Sequence, residues 1–285
     1  MTEAQLDPGT LLDGRYRLKG LLGSGGMGQV YEAEDIRLGR HVAVKVLHAE
    51  HAADDALAER LYREAKAAAR ADHPAVITTY AHGTDEELAI SYVVMERLSG
   101  ETLAQRLERE GPLPVRFVLR VALALADALA SVHAAGVVHR DLKPANVFLA
   151  VRGMRKDEIK LLDFGVAKQL DLQTLTTTGQ VYGTLTYMAP EQLADSKRVD
   201  ARCDLYSVGA VLFECLAGRP PFASSNVASM IANILAGERP ELAAQRSDAP
   251  AALIEIVERC LQRQASARYP GAEALHAALS ACSDA

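Results

Sequence analysis

The sequence has 285 residues, and its 49% hydrophobic and 24% charged content is that of a globular protein able to bury a sizeable core. Its 31 basic residues are outnumbered by 37 acidic ones, which gives a formal net charge of −6. Such a protein lacks the general positive field that binds nucleic acid or an anionic membrane. Aromatic residues make up only 5% of the chain, so stacking platforms for single-stranded bases are not expected.

Four widely spaced cysteines, at positions 203, 215, 260 and 282, form no CxxC pair. We interpret them as buried apolar residues in a reducing compartment. The N-terminus lacks the pattern of a signal peptide, and the longest apolar run, Val121–Ala130, is too short to span a membrane. We therefore expect a cytoplasmic chain with no membrane segment, unless it is part of a longer, membrane-anchored protein.

Up to about residue 97, the sequence has the alternating pattern of β-strands. The predicted strands are Leu18–Leu22, Met27–Asp35, Arg40–His48 and Leu88–Met95. In the third of these, three valines occupy one face, and Ala43, Lys45 and Leu47 occupy the other. One helix, Ala53–Arg70, interrupts the strands and ends before a histidine–proline pair.

After residue 97 the pattern is mostly helical. The predicted helices are Val115–His133, Asp204–Ala217, Ala251–Gln262 and Gly271–Ala281. The first has one apolar stripe at helical spacing, which predicts one buried face. The second is apolar nearly all round and is followed by Gly218, which predicts a central helix with a sharp end. The charged stretch 150–160 is expected to be a solvated hairpin.

A glycine-rich segment, GSGGMGQV at residues 23–30, matches the pattern GxGxxGxV. Glycines let backbone amides approach a phosphate because no Cβ stands in the way. The segment alone would also fit a dinucleotide-binding loop or an ordinary hairpin turn. The residues after Gly28 continue as a strand, whereas a dinucleotide site requires a helix there, which argues against the first alternative.

Lys45 and Glu64 are a candidate ion pair between a strand and the predicted helix. An exposed lysine at a sheet edge is the usual explanation for a residue such as Lys45. Glu64, however, shares a helix face with Leu57 and Leu61, and a carboxylate on a buried face is costly unless a cation meets it. The alternative partner is Arg60, one helical turn before Glu64.

Three further motifs follow in order: HRDLKPAN at residues 139–146, DFG at residues 163–165 and APE at residues 189–191. Any one tripeptide arises by chance, but the whole ordered set does not. Together with the glycine loop and VAVK at residues 42–45, the set resembles the protein kinase superfamily, and in particular the bacterial serine/threonine kinases of eukaryotic type. The resemblance covers residues 16–279.

This resemblance implies an α+β, two-lobed protein kinase fold, with a small antiparallel-sheet N-lobe that has one main helix and a larger, mostly helical C-lobe. We expect an N-terminal extension at residues 1–15, the N-lobe at 16–96, the C-lobe at 97–280 and a tail at 281–285. The implied reaction transfers the γ-phosphate of Mg·ATP to serine or threonine hydroxyls of protein substrates. Mn²⁺ is the alternative metal, and a homodimer is expected during trans-autophosphorylation.

The family's catalytic and metal-binding roles carry over to five matching positions. Asp141 would orient the substrate hydroxyl and accept its proton. Lys143 would neutralise the γ-phosphate, and Thr184 would help to seat the hydroxyl. Asn146 and Asp163 would bind Mg²⁺ through the oxygen ligands that this cation prefers.

The resemblance also implies a set of ATP contacts, in which Lys45, fixed by Glu64, holds the α- and β-phosphates. The residues predicted to contact ATP are Leu22, Gly23, Ser24, Gly25, Gly26, Met27, Gly28, Gln29, Val30, Ala43, Lys45, Glu64, Met95, Glu96, Leu98 and Phe148. Arg97 and Phe148 depart from the residues usual at these positions. Asp204 would brace the catalytic-loop backbone, and Glu191 would pair with Arg268.

Two other functions fit parts of the pattern. A pseudokinase would bind nucleotide without turnover, but the residues that turnover needs are all present. A small-molecule phosphotransferase of kinase-like fold would share the loop from Asp141 to Asn146 but generally lacks the APE segment. Both alternatives are therefore disfavoured.

The segment 170–183, between DFG and APE, contains four threonines and has no helix or strand period. A solvated polar loop is the simplest interpretation of any one of them. Arg140 and Lys168 occupy positions that in this family receive a phosphate carried by the segment. Because Thr176 and Thr178 lie at the spacing where bacterial relatives are modified, we expect activating autophosphorylation there.

Overall fold

The computed structural model describes residues 5–25, 28–47, 73–163, 185–194, 199–224 and 226–283. The chain divides into two compact units, residues 1–70 with 77–99 and residues 71–76 with 100–285. The predicted helix over residues 53–70 lies outside the described residues. The boundaries expected for the extension, the two lobes and the tail stay predictions.

The first unit contains an antiparallel sheet of six strands in the order β1-β2-β3-β4-β6-β5. The strands are β1 Leu11–Leu12, β2 Tyr16–Gly25, β3 Gly28–Asp35, β4 Arg40–Leu47, β5 Thr79–Asp85 and β6 Ile90–Glu96. The four predicted strands correspond to β2, β3, β4 and β6. The short β1 and the polar β5 carry too little apolar alternation to be recognised in the sequence.

One face of this sheet forms the apolar core of the first unit. Its buried members are Leu12, Tyr16, Leu18, Tyr31, Ala33, Val42, Val44, Val46, Tyr92 and Val94. Residues 5–15, set apart in the sequence as an extension, pack onto this face, since Leu12 is fully buried and Leu6 packs against the core. The segment is fixed further because the Leu6 N–H donates to the Tyr31 hydroxyl at 2.9 Å and Asp13 N–H donates to Asp85 Oδ2 at 2.8 Å.

The second unit combines a three-stranded antiparallel sheet with helices. Its strands are β7 Gly100–Thr102, β8 Val147–Arg152 and β9 Arg155–Leu161. Its described helices are α1 Leu103–Glu110, α2 Val115–Ala134, α3 Pro190–Ala194, α4 Arg202–Ala217, α5 Val227–Ala236, α6 Leu242–Gln245, α7 Ala251–Cys260 and α8 Ala272–Ser283. An antiparallel sheet followed by a helical unit is the α+β architecture expected from the sequence, which is confirmed.

Helices α2 and α4 form the centre of the second unit, as their sequences predict. All five residues of the predicted apolar stripe of α2 are completely buried: Val118, Ala122, Leu125, Leu129 and Val132. Helix α4 ends at Gly218, whose φ of +72° is the left-handed conformation that glycine adopts without strain. Within α4, a Cβ on Gly209 would lie 2.6 Å from the Cys260 Cβ, so glycine permits the close packing of α4 on α7.

The charged stretch 150–160 is a hairpin, as expected, but its last two residues, Ile159 and Lys160, are buried rather than solvated. Lys160 is only 3% exposed, and its Nζ donates to the Val76 carbonyl at 3.3 Å. The adjacent Leu161 N–H donates to the Ala75 carbonyl, so a segment distant in sequence covers this end of β9. All four cysteines are buried and free, as predicted, and none of the described helices is long and apolar enough to cross a membrane.

Candidate active site

The loop between α2 and β8 contains the closest grouping of predicted catalytic residues. Asp141 is 9% exposed, and Lys143 Nζ lies 3.0 Å from its Oδ2. Asn146, at the end of a 3₁₀ turn, donates from Nδ2 to the Asp141 carbonyl at 2.8 Å and to Asp141 Oδ2 at 3.2 Å. The structure therefore brings an ammonium group and an amide to one carboxylate.

The backbone just before Asp141 is fixed by Asp204, a completely buried residue near the start of α4. Asp204 Oδ2 accepts the His139 N–H and lies 2.8 Å from His133 Nε2, while Oδ1 accepts the Arg140 N–H. Burial opposes ionisation of this carboxyl, but the His133 hydrogen bond and the neighbouring histidine charges outweigh it, so its pKa is lowered. The structure shows the brace that the sequence predicted.

Arg140 is held in an unfavourable backbone conformation beside Asp141. Its φ is +61°, a region that costs a non-glycine residue about 1–3 kcal/mol and persists only where the surroundings enforce it. Two hydrogen bonds hold this conformation. The Arg140 N–H donates to Asp204, and the Arg140 carbonyl accepts from Gln192 Nε2 at 3.1 Å. Gln192 Oε1 also accepts the Ala189 N–H, which joins the APE segment to the catalytic loop.

Two hydrogen bonds connect the catalytic loop to the end of β9. His139 Nε2 lies 2.9 Å from the Leu162 carbonyl, and the Leu162 N–H donates to the Asn146 carbonyl at 2.8 Å. Val147 pairs with Leu161 in the β8–β9 ladder. Because these strands are antiparallel, Asn146 and Asp163 lie at the same end of the hairpin. The two residues predicted to bind a metal are thus neighbours.

The donor chemistry at this end of the hairpin fits a hard divalent cation. Asn146 uses its Nδ2 for Asp141, which leaves its side-chain oxygen to act as a ligand. Asp163 supplies a carboxylate, and its φ of +37° is a backbone conformation that is uncommon for a residue with a side chain. Amide and carboxylate oxygens are the ligands that Mg²⁺ binds in proteins.

In the first unit, four of the predicted ATP contacts lie on the sheet face opposite the apolar core. Val30 pairs with Lys45 and Lys45 with Val93, while Ala43 pairs with Met95. Paired residues of an antiparallel sheet project to the same side, so Val30, Ala43, Lys45 and Met95 share one face. Ala43 and Met95 are buried, which gives this face an apolar floor beside the lysine.

The glycine loop is described at both of its ends. A Cβ on Gly28 would lie 2.0 Å from the Val46 carbonyl oxygen, so this position requires glycine. A Cβ on Gly23 or Gly25 would meet none of the described atoms within 4 Å, so backbone is accessible there. The Gln29 side chain accepts a short hydrogen bond from the Tyr31 hydroxyl on the core side, which leaves only its backbone for the predicted contact. The exposed Leu22 and Ser24 belong to the end of β2.

The predicted adenine-contacting segment follows β6. The Glu96 carboxylate accepts the Thr78 N–H at 2.9 Å, and the Glu96 N–H donates to the Thr78 carbonyl at 2.9 Å, so both groups of Glu96 hold β6 against the residues before β5. Arg97 Nη1 donates to the Leu98 carbonyl at 2.8 Å, and its Nε lies 3.4 Å from Glu32. The unusual Arg97 thus ties this segment to β3. In the second unit, Phe148 is half-buried in β8.

Glu191 and Arg268 form a two-pronged ion pair, as the sequence predicted. Arg268 Nη1 and Nη2 donate to the two Glu191 carboxylate oxygens at 2.6 and 2.8 Å. Arg268 is 2% exposed and also donates to the carbonyls of Arg202, Gln262 and Arg263. This buried guanidinium fastens α3, and with it the APE segment, to the C-terminal helices.

Several predicted residues lie outside the described part of the chain. They are Gly26, Met27, Glu64, Thr176, Thr178 and Thr184. Sequence reasoning missed His133 and Gln192, whose side chains fix the catalytic loop through Asp204 and Arg140. The available signal for His133 was that Asp204, a carboxylate on an otherwise apolar helix, needs a buried donor.

The chain is similar to known proteins over nearly its whole length. Residues 16–279 match the family model described as the protein kinase domain. A probable serine/threonine-protein kinase of Streptomyces coelicolor is 39% identical over 277 residues, covering 96% of this chain and 40% of that protein. The serine/threonine-protein kinase PknA of Mycobacterium tuberculosis is 39% identical over 264 residues, covering 92% of this chain and 59% of that protein. The chain thus spans about half the length of these curated relatives.

Solved structures show the same fold. The crystal structure of the PknI kinase domain of Mycobacterium tuberculosis superimposes with a TM-score of 0.77 at 29% sequence identity. The alignment covers 98% of this chain and 100% of that domain. The similarity therefore extends over the whole fold as well as the motifs.

Proposed function

The chain belongs to the protein kinase family, as a bacterial serine/threonine kinase domain of eukaryotic type, and we propose that it transfers the γ-phosphate of Mg·ATP to serine and threonine hydroxyls of protein substrates. The γ-phosphate bond to ADP breaks as the substrate oxygen bonds to phosphorus, and the hydroxyl proton leaves. The observation that carries this proposal is the buried Asp141, met by Lys143 and Asn146 on a loop fixed by Asp204.

In this proposal, Asp141 orients the incoming hydroxyl and accepts its proton. Lys143, 3.0 Å from that carboxylate, places a positive charge where the transferred phosphoryl group carries negative charge. Phosphoryl transfer depends mostly on positioning, so the rigid backbone on either side of Asp141 contributes directly to the rate. Thr184 is proposed to help seat the hydroxyl, by its match to the family motif.

The remaining roles concern nucleotide and metal. Lys45 would hold the α- and β-phosphates, with Glu64 as its proposed partner, and the glycine loop would cover them with backbone amides. Asn146 and Asp163 would hold Mg²⁺, with Mn²⁺ as the alternative. A divalent cation neutralises the phosphate charge that develops during transfer.

Regulation is proposed to act through the segment before APE. Autophosphorylation of Thr176 and Thr178, in a transient homodimer, would add about two negative charges per phosphate. Arg140 is the described cation suited to receive such a group, since its Nε is buried and has no hydrogen-bond partner in the part of the chain that is described. A kinase needs a supply of ATP, so we propose that this domain acts in the cytoplasm.

The test is incubation with labelled ATP, Mg²⁺ and a generic basic protein, followed by detection of acid-stable label. We expect label in the protein substrate, lowered at least a hundredfold by Asp141→Asn with ATP binding retained. Asp248→Asn, on an aspartate that is 66% exposed, is the matched control and should have wild-type turnover. Nucleotide binding without transfer would establish a pseudokinase. Label confined to a small molecule would establish a small-molecule phosphotransferase of kinase-like fold.

A further inference from the structure

The tip of the β8–β9 hairpin presents an unusually exposed methionine. The two strands are joined by a two-residue turn, Gly153 and Met154, between the paired residues Arg152 and Arg155. Met154 is 99% exposed, whereas Leu38, the next most exposed large hydrophobic residue of the described chain, is 60% exposed. A single exposed apolar side chain is common on protein surfaces. Whether Met154 can bind a partner therefore depends on how its hairpin is held and on the charges beside it.

The hairpin is supported by one residue in an unusual conformation. The β8–β9 register shifts near the tip, and Asp157 there has a φ of +57°. This conformation is uncommon for a residue with a side chain. Asp157 Oδ1 accepts from Arg106 Nη2 at 2.9 Å, and Oδ2 lies 3.5 Å from Arg120 Nη2. The hairpin is therefore fastened to α1 and α2.

The charges at the base of the hairpin are neutralised. Arg106 and Arg109 both contact Glu101 at 2.6 Å, and Arg106 and Arg120 share Asp157. The exposed cations at the tip differ from these. Arg155 and Lys156 are exposed, and neither has an ion pair among the described residues. A local positive charge thus adjoins Met154 on a chain whose net charge is −6.

We propose that this hairpin tip, defined as Met154, Arg155 and Lys156, docks an acidic segment of a protein substrate that carries an apolar side chain. The proposal rests on the kinase function, and it places a substrate contact on a surface distinct from the catalytic loop. Because the strands pair and Asp157 is held by Arg106, the backbone of the tip needs little ordering on binding, which favours affinity. Burial of the methionine side chain would raise affinity about tenfold to a hundredfold.

A protein segment fits the tip better than an anionic membrane does. Each basic residue near a charged membrane raises affinity only about fivefold, and stable binding uses clusters of about four to eight. The tip offers two unpaired cations and one apolar side chain. A segment with two or three carboxylates and one leucine matches that number of contacts.

The direct test measures binding of a fluorescein-labelled twelve-residue peptide of alternating glutamates and leucines that lacks serine, threonine and tyrosine. We expect fluorescence anisotropy to show salt-sensitive binding to the full chain, weakened about tenfold by Met154→Ser and at least tenfold by Arg155→Ser/Lys156→Ser. The control Arg17→Ser/Arg37→Ser removes two exposed cations of the first unit and should leave binding unchanged within twofold. Absence of binding, or equal loss in the control, would overturn the proposal.

Two further measurements distinguish substrate docking from the kinase activity itself and from binding to a lipid surface. Phosphorylation of a serine peptide with and without the acidic segment attached should show a lower KM for the attached form at unchanged kcat. The tip variants should lose that KM difference and keep wild-type turnover of the plain peptide, so docking can fail while the kinase function stands. Cosedimentation with phosphatidylserine vesicles that is lost in the tip variants, without peptide binding, would assign the tip to a lipid surface and overturn the proposal.

Discussion

Substitution of Asp204 by asparagine tests whether the buried carboxylate positions the catalytic loop. Asp204 accepts three hydrogen bonds of 2.8 Å from nitrogen donors, the N–H groups of His139 and Arg140 and the His133 ring, and a longer one of 3.7 Å from Cys203 Sγ. An asparagine oxygen in the Oδ2 position keeps two of them, but its NH2 group then faces the Arg140 N–H. One hydrogen bond to a charged acceptor is lost, and a buried donor is left without a partner.

The size of the stability loss follows from the hydrogen bond that the substitution removes. A hydrogen bond to a charged group contributes about 1.5–3 kcal/mol, and an unsatisfied buried donor costs about 1–3 kcal/mol. Because these terms overlap, we expect Asp204→Asn to destabilise the domain by about 2–4 kcal/mol, or roughly 5–15 °C in Tm. Arg140 would relax from its positive φ and displace Asp141, so kcat should fall about tenfold to a hundredfold.

The assay combines thermal unfolding with turnover of a serine peptide at saturating Mg·ATP. Asp248→Asn makes the same chemical change at an exposed carboxylate and should shift Tm by less than about 2 °C. If Asp204→Asn matched the wild type in both Tm and kcat, the argument that this carboxylate fixes the loop would be refuted. A loss of Tm with full kcat would show that it stabilises the fold without positioning Asp141.

Three other predictions concern stability and metal binding. Glu191→Gln should lower the free energy of unfolding by about 1.5–3 kcal/mol in a urea titration, because it removes a charge-assisted hydrogen bond from the buried Arg268 guanidinium; a value near zero would contradict this. The pKa of Asp85 is lowered by the N–H groups that donate to it, so its contribution is complete above the ordinary carboxyl pKa and is lost as the pH falls below about 4; unfolding monitored against pH should show this loss, and Asp85→Asn should reduce it. Asp163→Asn should weaken Mg·ATP binding measured by calorimetry, whereas Asp141→Asn should not, and equal affinities would disprove the metal assignment.

The sequence predicts the central strands and helices of this fold because their apolar residues recur at clear strand or helix spacing. The valines of β4 alternate cleanly, so the face that carries Lys45 could be assigned before the structure was known, and the stripe of α2 identified its buried face. The N-terminal segment is different. Leu12 is completely buried and pairs with Tyr16 of β2, yet its strand β1 has only two residues and so shows no alternation that the sequence could reveal.

In the candidate site, the sequence predicts the motif residues but not all the side chains that hold them in place. Motif order predicts Asp141, Asn146 and Asp163, because these residues match fixed motifs of the protein kinase family. The residues that hold them in place are set by contacts across long sequence separations, such as the hydrogen bond between His133 and Asp204. No periodicity encodes such a contact.

Arg140 shows why the supporting residues matter for function as well as stability. The positive φ of Arg140, next to the proposed catalytic aspartate, persists only while Asp204 holds the Arg140 N–H and Gln192 holds its carbonyl. Gln192 also accepts the Ala189 N–H, so a change in the APE segment acts directly on the peptide group that precedes Asp141. An activating signal then has a short physical route to the catalytic carboxylate, through one glutamine and one strained arginine.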